Sequence, residues 1–239
     1  MSTPAVKIVN YSYHYPDGTV ALKNISLTIR HGERVVIIGP NGAGKSSLLL
    51  GMAGFAQGEG QIWVDGVEVG KKTLKTIRRV IGCCLENPDD QLFMPTLRDD
   101  VGFGPLSMGL SAEQIQERVD QALSAVGLLA QADRPPHHLS AGQKRVAALA
   151  TVLSMDPKIL TFDEPDRSLD PRQRNALLEL LTGLKQTLII ATCNMKFAYA
   201  IADRVILIDG GRTVADGTPD GIMLDPMLMV NHGLELPAR

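Results

Sequence analysis

Gly39-Pro40-Asn41-Gly42-Ala43-Gly44-Lys45-Ser46 decides how this chain is read. It matches the pattern G-x-x-x-x-G-K-[ST] and follows the largely apolar stretch Arg34 to Ile38. Such a stretch is the mark of a strand buried on both faces of a parallel sheet. Glycines accept positive φ, so successive N–H groups can turn inward around a phosphate. Lys45 supplies a point charge for the β and γ phosphates of a nucleotide, and the Ser46 hydroxyl is a ligand for Mg²⁺. The helix expected after the loop adds its positive end. Asn41, Gly42, Ala43, Gly44 and Ser47 complete the expected cradle.

Working outward, Ile159 to Phe162 forms a second apolar strand, ending in the carboxylates Asp163 and Glu164. Ligands in α/β folds gather at strand ends. Asp163 is suited to hold Mg²⁺ directly or through water, and Glu164 to orient or deprotonate an attacking water. Further parallel strands are expected at Val80 to Leu85, Thr187 to Thr192 and Arg204 to Ile208. Upstream, Val6, Ile8 and Tyr11, then Ile25, Leu27 and Ile29, have strand periodicity around a Pro16-Asp17-Gly18 turn. With a strand from Gly60 to Val64 they predict an antiparallel layer. Between the core strands lies a helical region. Ser111 and Gln114 form a capping box, with Ile115, Val119, Ala122 and Val126 on one face. Ser140 caps a helix whose stripe is Val146, Leu149, Ala150 and Leu153. A helix from about Pro171 to Leu184 follows, and only weak helical signals come after Pro219.

Composition narrows the function. The 239 residues are 44% hydrophobic and 21% charged, as expected of an ordered α/β chain. A formal charge of −2 and 4% aromatics leave no footprint for nucleic acid. No apolar run is long enough for a bilayer. Three cysteines, two of them adjacent (Cys83 and Cys84), fit a reducing cytosol. His137-His138 lacks a third ligand at metal-binding spacing.

Leu139-Ser140-Ala141-Gly142-Gln143 opens the Ser140-capped helix just upstream of the acidic strand. In that position it resembles the signature motif of ABC ATPases, Leu-Ser-Gly-Gly-Gln, with Ala141 in place of one Gly. The resemblance covers about Val6 to Pro237. It implies a P-loop NTPase core with a mostly parallel sheet, an N-terminal antiparallel β layer and an inserted α-helical subdomain. The expected division is core and β layer at 1–85 and 158–215, helical subdomain at 86–157 and tail at 216–239. By resemblance, Ser140, Gly142 and Gln143 contact the ATP held by a second subunit, and Ser168-Leu169-Asp170 is the loop that crosses the dimer interface. Tyr15 resembles the aromatic that stacks on adenine, with Tyr13 as the alternative. Asn87-Pro88-Asp89-Asp90-Gln91-Leu92-Phe93, Asp100 to Pro105, Pro136 to Ser140 and His232 to Pro237 resemble the cobalt/nickel branch of energy-coupling-factor transporters. The resemblance therefore implies ATP and Mg²⁺ as cofactors and a second ATP-binding subunit, identical or related. It also implies transmembrane partners and a peripheral place on the cytoplasmic face of the membrane. The Gln91–Phe93 segment, with apolar Leu92 and Phe93, is a candidate contact with those partners, or else internal packing. The cargo, cobalt or nickel by resemblance or alternatively a vitamin, is not written in the sequence.

The chain also departs from that family's pattern at two places beside the expected γ-phosphate position. Glu86 stands where a Gln is usual, and Cys193 where a His is usual, followed by Asn194 in place of Asp. A carboxylate about 5 Å from phosphate charge is repelled by roughly 3 kcal/mol per unit charge at an effective dielectric of about 20. Glu86 offsets this if it serves as a further Mg²⁺ ligand. A Cys193 thiol is a weak donor without positive charge. Glu86, Cys193 and Glu164 are thus the candidate catalytic positions, and Ser46, Asp163 and Glu86 the candidate metal ligands. Attenuated hydrolysis, with the chain acting as a sensor or as the weaker half of an asymmetric pair, is the alternative function.

Overall fold

Strand alternation builds the first layer, in the computed structural model that describes residues 3–237. β1 (Val6–His14) pairs antiparallel with β2 (Val20–Ile29) and with β4 (Glu59–Val64), and β5 (Val67–Glu68) extends the layer beyond β4. Val6 and Ile8 face inward, as alternation requires, yet the next inward residue is Tyr11. Asn10 takes φ 49° in a bulge that shifts the register, a conformation Asn tolerates well. The bulge is why a pattern of 6, 8 and 11 is still one strand.

The second sheet has the order β10-β9-β3-β8-β7-β6. β3 (Arg34–Ile38), β6 (Ile81–Cys84), β7 (Ile159–Asp163), β8 (Thr187–Ala191) and β9 (Arg204–Asp209) run parallel. β10 (Arg212–Gly217) returns antiparallel to β9 through Gly210-Gly211, both at positive φ. In β3, Val35 and Ile37 pack toward the antiparallel layer and α1 (Lys45–Met52). Val36 and Ile38 pack toward α6 (Pro171–Thr182) and α7 (Met195–Ile201) on the other face. Both faces are covered, so the strand is apolar without alternating.

α2 (Leu74–Val80) leads into β6. A third apolar cluster joins α3 (Leu97–Met108), α4 (Ala112–Ala125) and α5 (Ala141–Leu153) around Leu97, Val101, Val119, Leu123, Ala147 and Ala150. Two expectations need correction here. The buried side of α5 is not a single stripe, because Leu149 and Val152 turn to the sheet while Ala147 and Ala150 face α3 and α4. Leu92 is buried in the third cluster, so of the Leu92–Phe93 pair only Phe93 is on the surface.

The residues of α3 argue against a helix, since Gly102, Gly104 and Pro105 all fall inside it. Tertiary contacts override that preference. Asp100 Oδ1 accepts from the backbone N–H groups of Phe93 and Met94 at 2.9 and 3.0 Å, and a Cβ on Gly104 would stand 2.6 Å from Met155 Cγ. α7, β10 and two short tail helices, α8 (Pro219–Met223) and α9 (Pro226–Asn231), likewise lacked a clear sequence signal.

Packing leaves no room for a side chain at Gly82 in β6, where a Cβ would meet Val152 Cγ1 at 2.1 Å and Pro157 Cγ at 3.2 Å. Gly82→Ala is expected to destabilise the chain by about 1–3 kcal/mol through overpacking. A shift in the urea midpoint with an unchanged slope is the measurement.

Candidate nucleotide site

β3 ends at Ile38, and the loop to α1 turns on Gly39 (φ 154°), Gly42 (78°) and Gly44 (104°). Gly44 has a second constraint, because a Cβ there would lie 2.5 Å from the Ala21 carbonyl oxygen. Lys45 is buried, and its Nζ donates to the carbonyls of Gly39 (2.9 Å) and Pro40 (3.1 Å). The ammonium is thereby held at the mouth of the loop, with a third bond to Cys193 Sγ at 3.1 Å and Glu164 Oε1 at 3.9 Å.

Parallel pairing of β7 with β8 brings the acidic pair beside this loop. Asp163 closes β7. Burial pushes its carboxyl above the usual range, against a hydrogen bond from Ser46 that lowers it. Its Oδ1 is buried and has no hydrogen-bond partner among the described residues. A buried, half-bonded carboxylate next to a hydroxyl is a donor set suited to a hard divalent cation. Glu164 adopts φ 46°, a left-handed conformation that is costly for a non-glycine residue. Its backbone N–H donates to Ala191 O at 2.8 Å, and its Oε2 accepts from the Cys193 N–H at 3.1 Å. With this backbone the carboxylate faces Lys45 and Cys193. Cys193 in turn donates its S–H to Asn41 Oδ1 at 3.2 Å, and burial raises its pKa.

A cavity of about 360 Å³ lies over the loop. Tyr15, Asn41, Lys45, Glu86, Glu164 and Arg167 are among its walls. The Tyr15 hydroxyl is bonded to Ser47 Oγ at 2.7 Å, whereas Tyr13 sits behind it, edge-on at 5.3 Å and packed on the core. The structure therefore brings Tyr15, Asn41, Gly42, Ala43, Gly44, Lys45, Ser46, Ser47, Glu86, Asp163, Glu164 and Cys193 together in one chain.

The ABC transporter family model matches residues 22–167. The chain belongs to that family. The family member EcfA of Methanothermobacter thermautotrophicus, an energy-coupling factor transporter ATP-binding protein, is 40% identical, over 97% of this chain and 76% of its own length. CbiO1 of Clostridium perfringens, part of the ABC transporter complex cbiONQ, superposes with TM-score 0.85 at 35% identity, covering 96% of this chain and 94% of that one. The dimeric ATP-binding cassette MJ0796, captured after hydrolysis with ADP and Pi, superposes with TM-score 0.80 at 28% identity over 90% and 98% of the two chains. The fold is that of an ABC ATPase, and the activity of the family is ATP hydrolysis.

In this ABC chain Ser140, Gly142, Gln143 and Asp170 lie outside the loop cavity. Ser140 and Gln143 complete a capping box at the start of α5, with Gln143 Oε1 accepting from the Ser140 N–H at 2.9 Å. Asp170 caps α6 by accepting from the Gln173 N–H at 2.8 Å. Gly142 makes room for Gln173, whose Nε2 would be 2.6 Å from a Cβ there. The two helix starts thus interlock on one surface, with Ser140, Ala141 and Asp170 exposed.

Sequence reading missed three residues of the site. Asp166 is buried and accepts from Thr192 Oγ1 at 2.8 Å and from Asn194 Nδ2 at 2.7 Å, which ties the Glu164 loop to the Cys193 segment. Arg167 is paired with the carboxylate of Glu86, and Arg145 of α5 reaches the backbone of both. Neither arginine belongs to a pattern that local sequence reveals.

Proposed function

We propose that this chain is the ATP-hydrolysing subunit of an energy-coupling-factor importer for cobalt or nickel ions. The observation that carries the reading is the convergence of Lys45, Ser46 and Glu164 on one cavity at the carboxyl end of the parallel sheet, with Asp163 bonded to Ser46. Ser46 and Asp163 would hold Mg²⁺, with Glu86 as a further ligand if it leaves Arg167. The ion would supply positive charge that offsets developing negative charge on the phosphates. Lys45 and the loop amides orient the β and γ phosphates. Glu164 draws the proton from the attacking water, and its hydrogen bond from Cys193 N–H keeps the carboxylate aimed at the cavity.

The exposed Ser140 and Asp170 surface fits a second copy or a related subunit, closed head to tail so that each signature segment covers the other's nucleotide. The dimeric cassette and the energy-coupling relative support this arrangement. Among the described residues no helix is long and apolar enough to cross a membrane. The apolar groove of about 320 Å³ that includes Phe55, Arg78, Phe93 and Phe103 is the proposed seat of a transmembrane partner. Phe55 and Phe93 are both more than half exposed there. In this scheme the helical region 86–157 carries closure from nucleotide to membrane subunit. The cobalt or nickel cargo rests on the resemblance of the 87–105 and 136–140 stretches and on the likeness to CbiO1.

Cys193 supports a second reading, attenuated hydrolysis, because its thiol contacts Lys45 where a ring nitrogen would offer a stronger bond to phosphate. Phosphate release from MgATP separates the two. Turnover by the unaltered chain is the expected result. Silence in that chain, with turnover gained in Cys193→His or in Glu86→Gln/Cys193→His, would establish the second.

A further inference from the structure

Glu86 and Arg167 are far apart in sequence but meet on the shared wall of two cavities. One is the cavity over the phosphate loop. The other, about 350 Å³, lies in front of α5. Their side chains form an ion pair. The pairing is set from behind, because a single guanidinium, that of Arg145, donates to the Glu86 carbonyl at 2.5 Å and to the Arg167 carbonyl at 3.1 Å. One side chain on α5 therefore fixes the backbone of both partners at once. Lys144, the neighbouring residue, ties the same segment to α5 through Asp89 at 2.6 Å.

The charges around the phosphate loop explain what such a pair is for. Three carboxylates, Glu86, Asp163 and Glu164, face one ammonium, Lys45. A polyphosphate entering that field meets more negative than positive charge. Among the described residues Arg167 is the other cation lining the cavity, and it is paired with the carboxylate of Glu86. Both side chains are largely solvent-exposed, so the pair contributes little to stability.

We propose that Arg167 is a positioning residue that neutralises Glu86 and holds it aside, so that the site accepts the triphosphate despite an extra carboxylate. This rests on the reading of the loop cavity as the nucleotide site. The chain has an acidic residue at 86 and, at 167, the cation that makes it tolerable.

The test is equilibrium binding of the non-hydrolysable analogue AMP-PNP with Mg²⁺, by calorimetry, to the unaltered chain, Arg167→Ala, Arg167→Lys, Glu86→Gln and Glu86→Gln/Arg167→Ala. Arg167→Ala is expected to weaken binding about tenfold, or about 1.4 kcal/mol. Arg167→Lys keeps the charge and is expected to recover most of the affinity. In the Glu86→Gln background, removing Arg167 is expected to change affinity less than about twofold, the signature of coupling between the two positions. Equal losses in both backgrounds would overturn the proposal, because Arg167 would then act on the phosphates directly. No loss in either background would overturn it as well. Lys45→Ala separates failure of the proposal from failure of the site. If the unaltered chain binds no better than Lys45→Ala, the loop cavity is not the nucleotide site and both readings fall. Thermal melts of each variant confirm that affinity is compared between folded chains.

Discussion

Glu164→Gln is expected to lower phosphate release by about 10²–10⁴-fold while nucleotide binding is retained. Gln keeps the size of the side chain and an oxygen that can accept from the Cys193 N–H, so the local arrangement of Glu164 at φ 46° is preserved. What is lost is the base. The amide also removes one negative charge 3.9 Å from Lys45, which reduces repulsion of the triphosphate. Single-turnover kinetics with MgATP should therefore show unchanged or tighter binding and a slowed chemical step. A rate within about threefold of the unaltered chain would move water activation to another residue, since a positioned base contributes at least about 10²-fold.

Asp166→Ala should have the largest effect on stability, about 2–4 kcal/mol, measured as a fall in the urea midpoint. The carboxylate is 3% exposed and satisfies Thr192 Oγ1, Asn194 Nδ2 and, at ion-pair distance of 3.7 Å, Arg174. Alanine leaves those groups without their partner in a place that water reaches poorly. Asp166→Asn, which keeps an acceptor, should lose about 1 kcal/mol. The two losses should also separate in catalysis. The Thr192–Asn194 segment presents the Cys193 N–H to Glu164, so Asp166→Ala is expected to lower kcat more than it raises KM. Full activity in a destabilised Asp166→Ala chain would make the residue a purely structural one.

How much of this was legible beforehand depends on the range of the interaction. The phosphate loop, the two-sided strand β3, the Ser111 capping box, the Ser140 cap and the Asp163-Glu164 strand end were all visible in the sequence. Each is written within a few adjacent residues, through φ preference, alternation or a side chain bonding its own helix start. The β1 bulge was half visible. Tyr11 stood out as an inward residue, but the shift at Asn10 that puts it there was not. α3 was not legible, because its glycines and proline oppose a helix, while burial of Leu97 and Val101 in the third cluster and the bonds from the Phe93–Met94 backbone to Asp100 hold it.

Ser140, Gly142, Gln143 and Asp170 were found by resemblance, and the structure gives each a local task in capping or packing that no residue pattern separates from a role toward a second subunit. Glu86 and Cys193 were recognised as departures, but their partners were not. Glu86 finds Arg167 across 81 positions, and Cys193 finds Lys45 across 148. The sequence by itself determined a nucleotide-phosphate loop on a parallel sheet, an acidic strand end and the starts of the helices around them, since these follow from backbone preference and near neighbours. Only the tertiary structure decided which charges face one another over that loop. Strand order β3-β8-β7-β6 and the reach of Arg145 from α5 bring those groups together, and a chain read residue by residue carries no record of either.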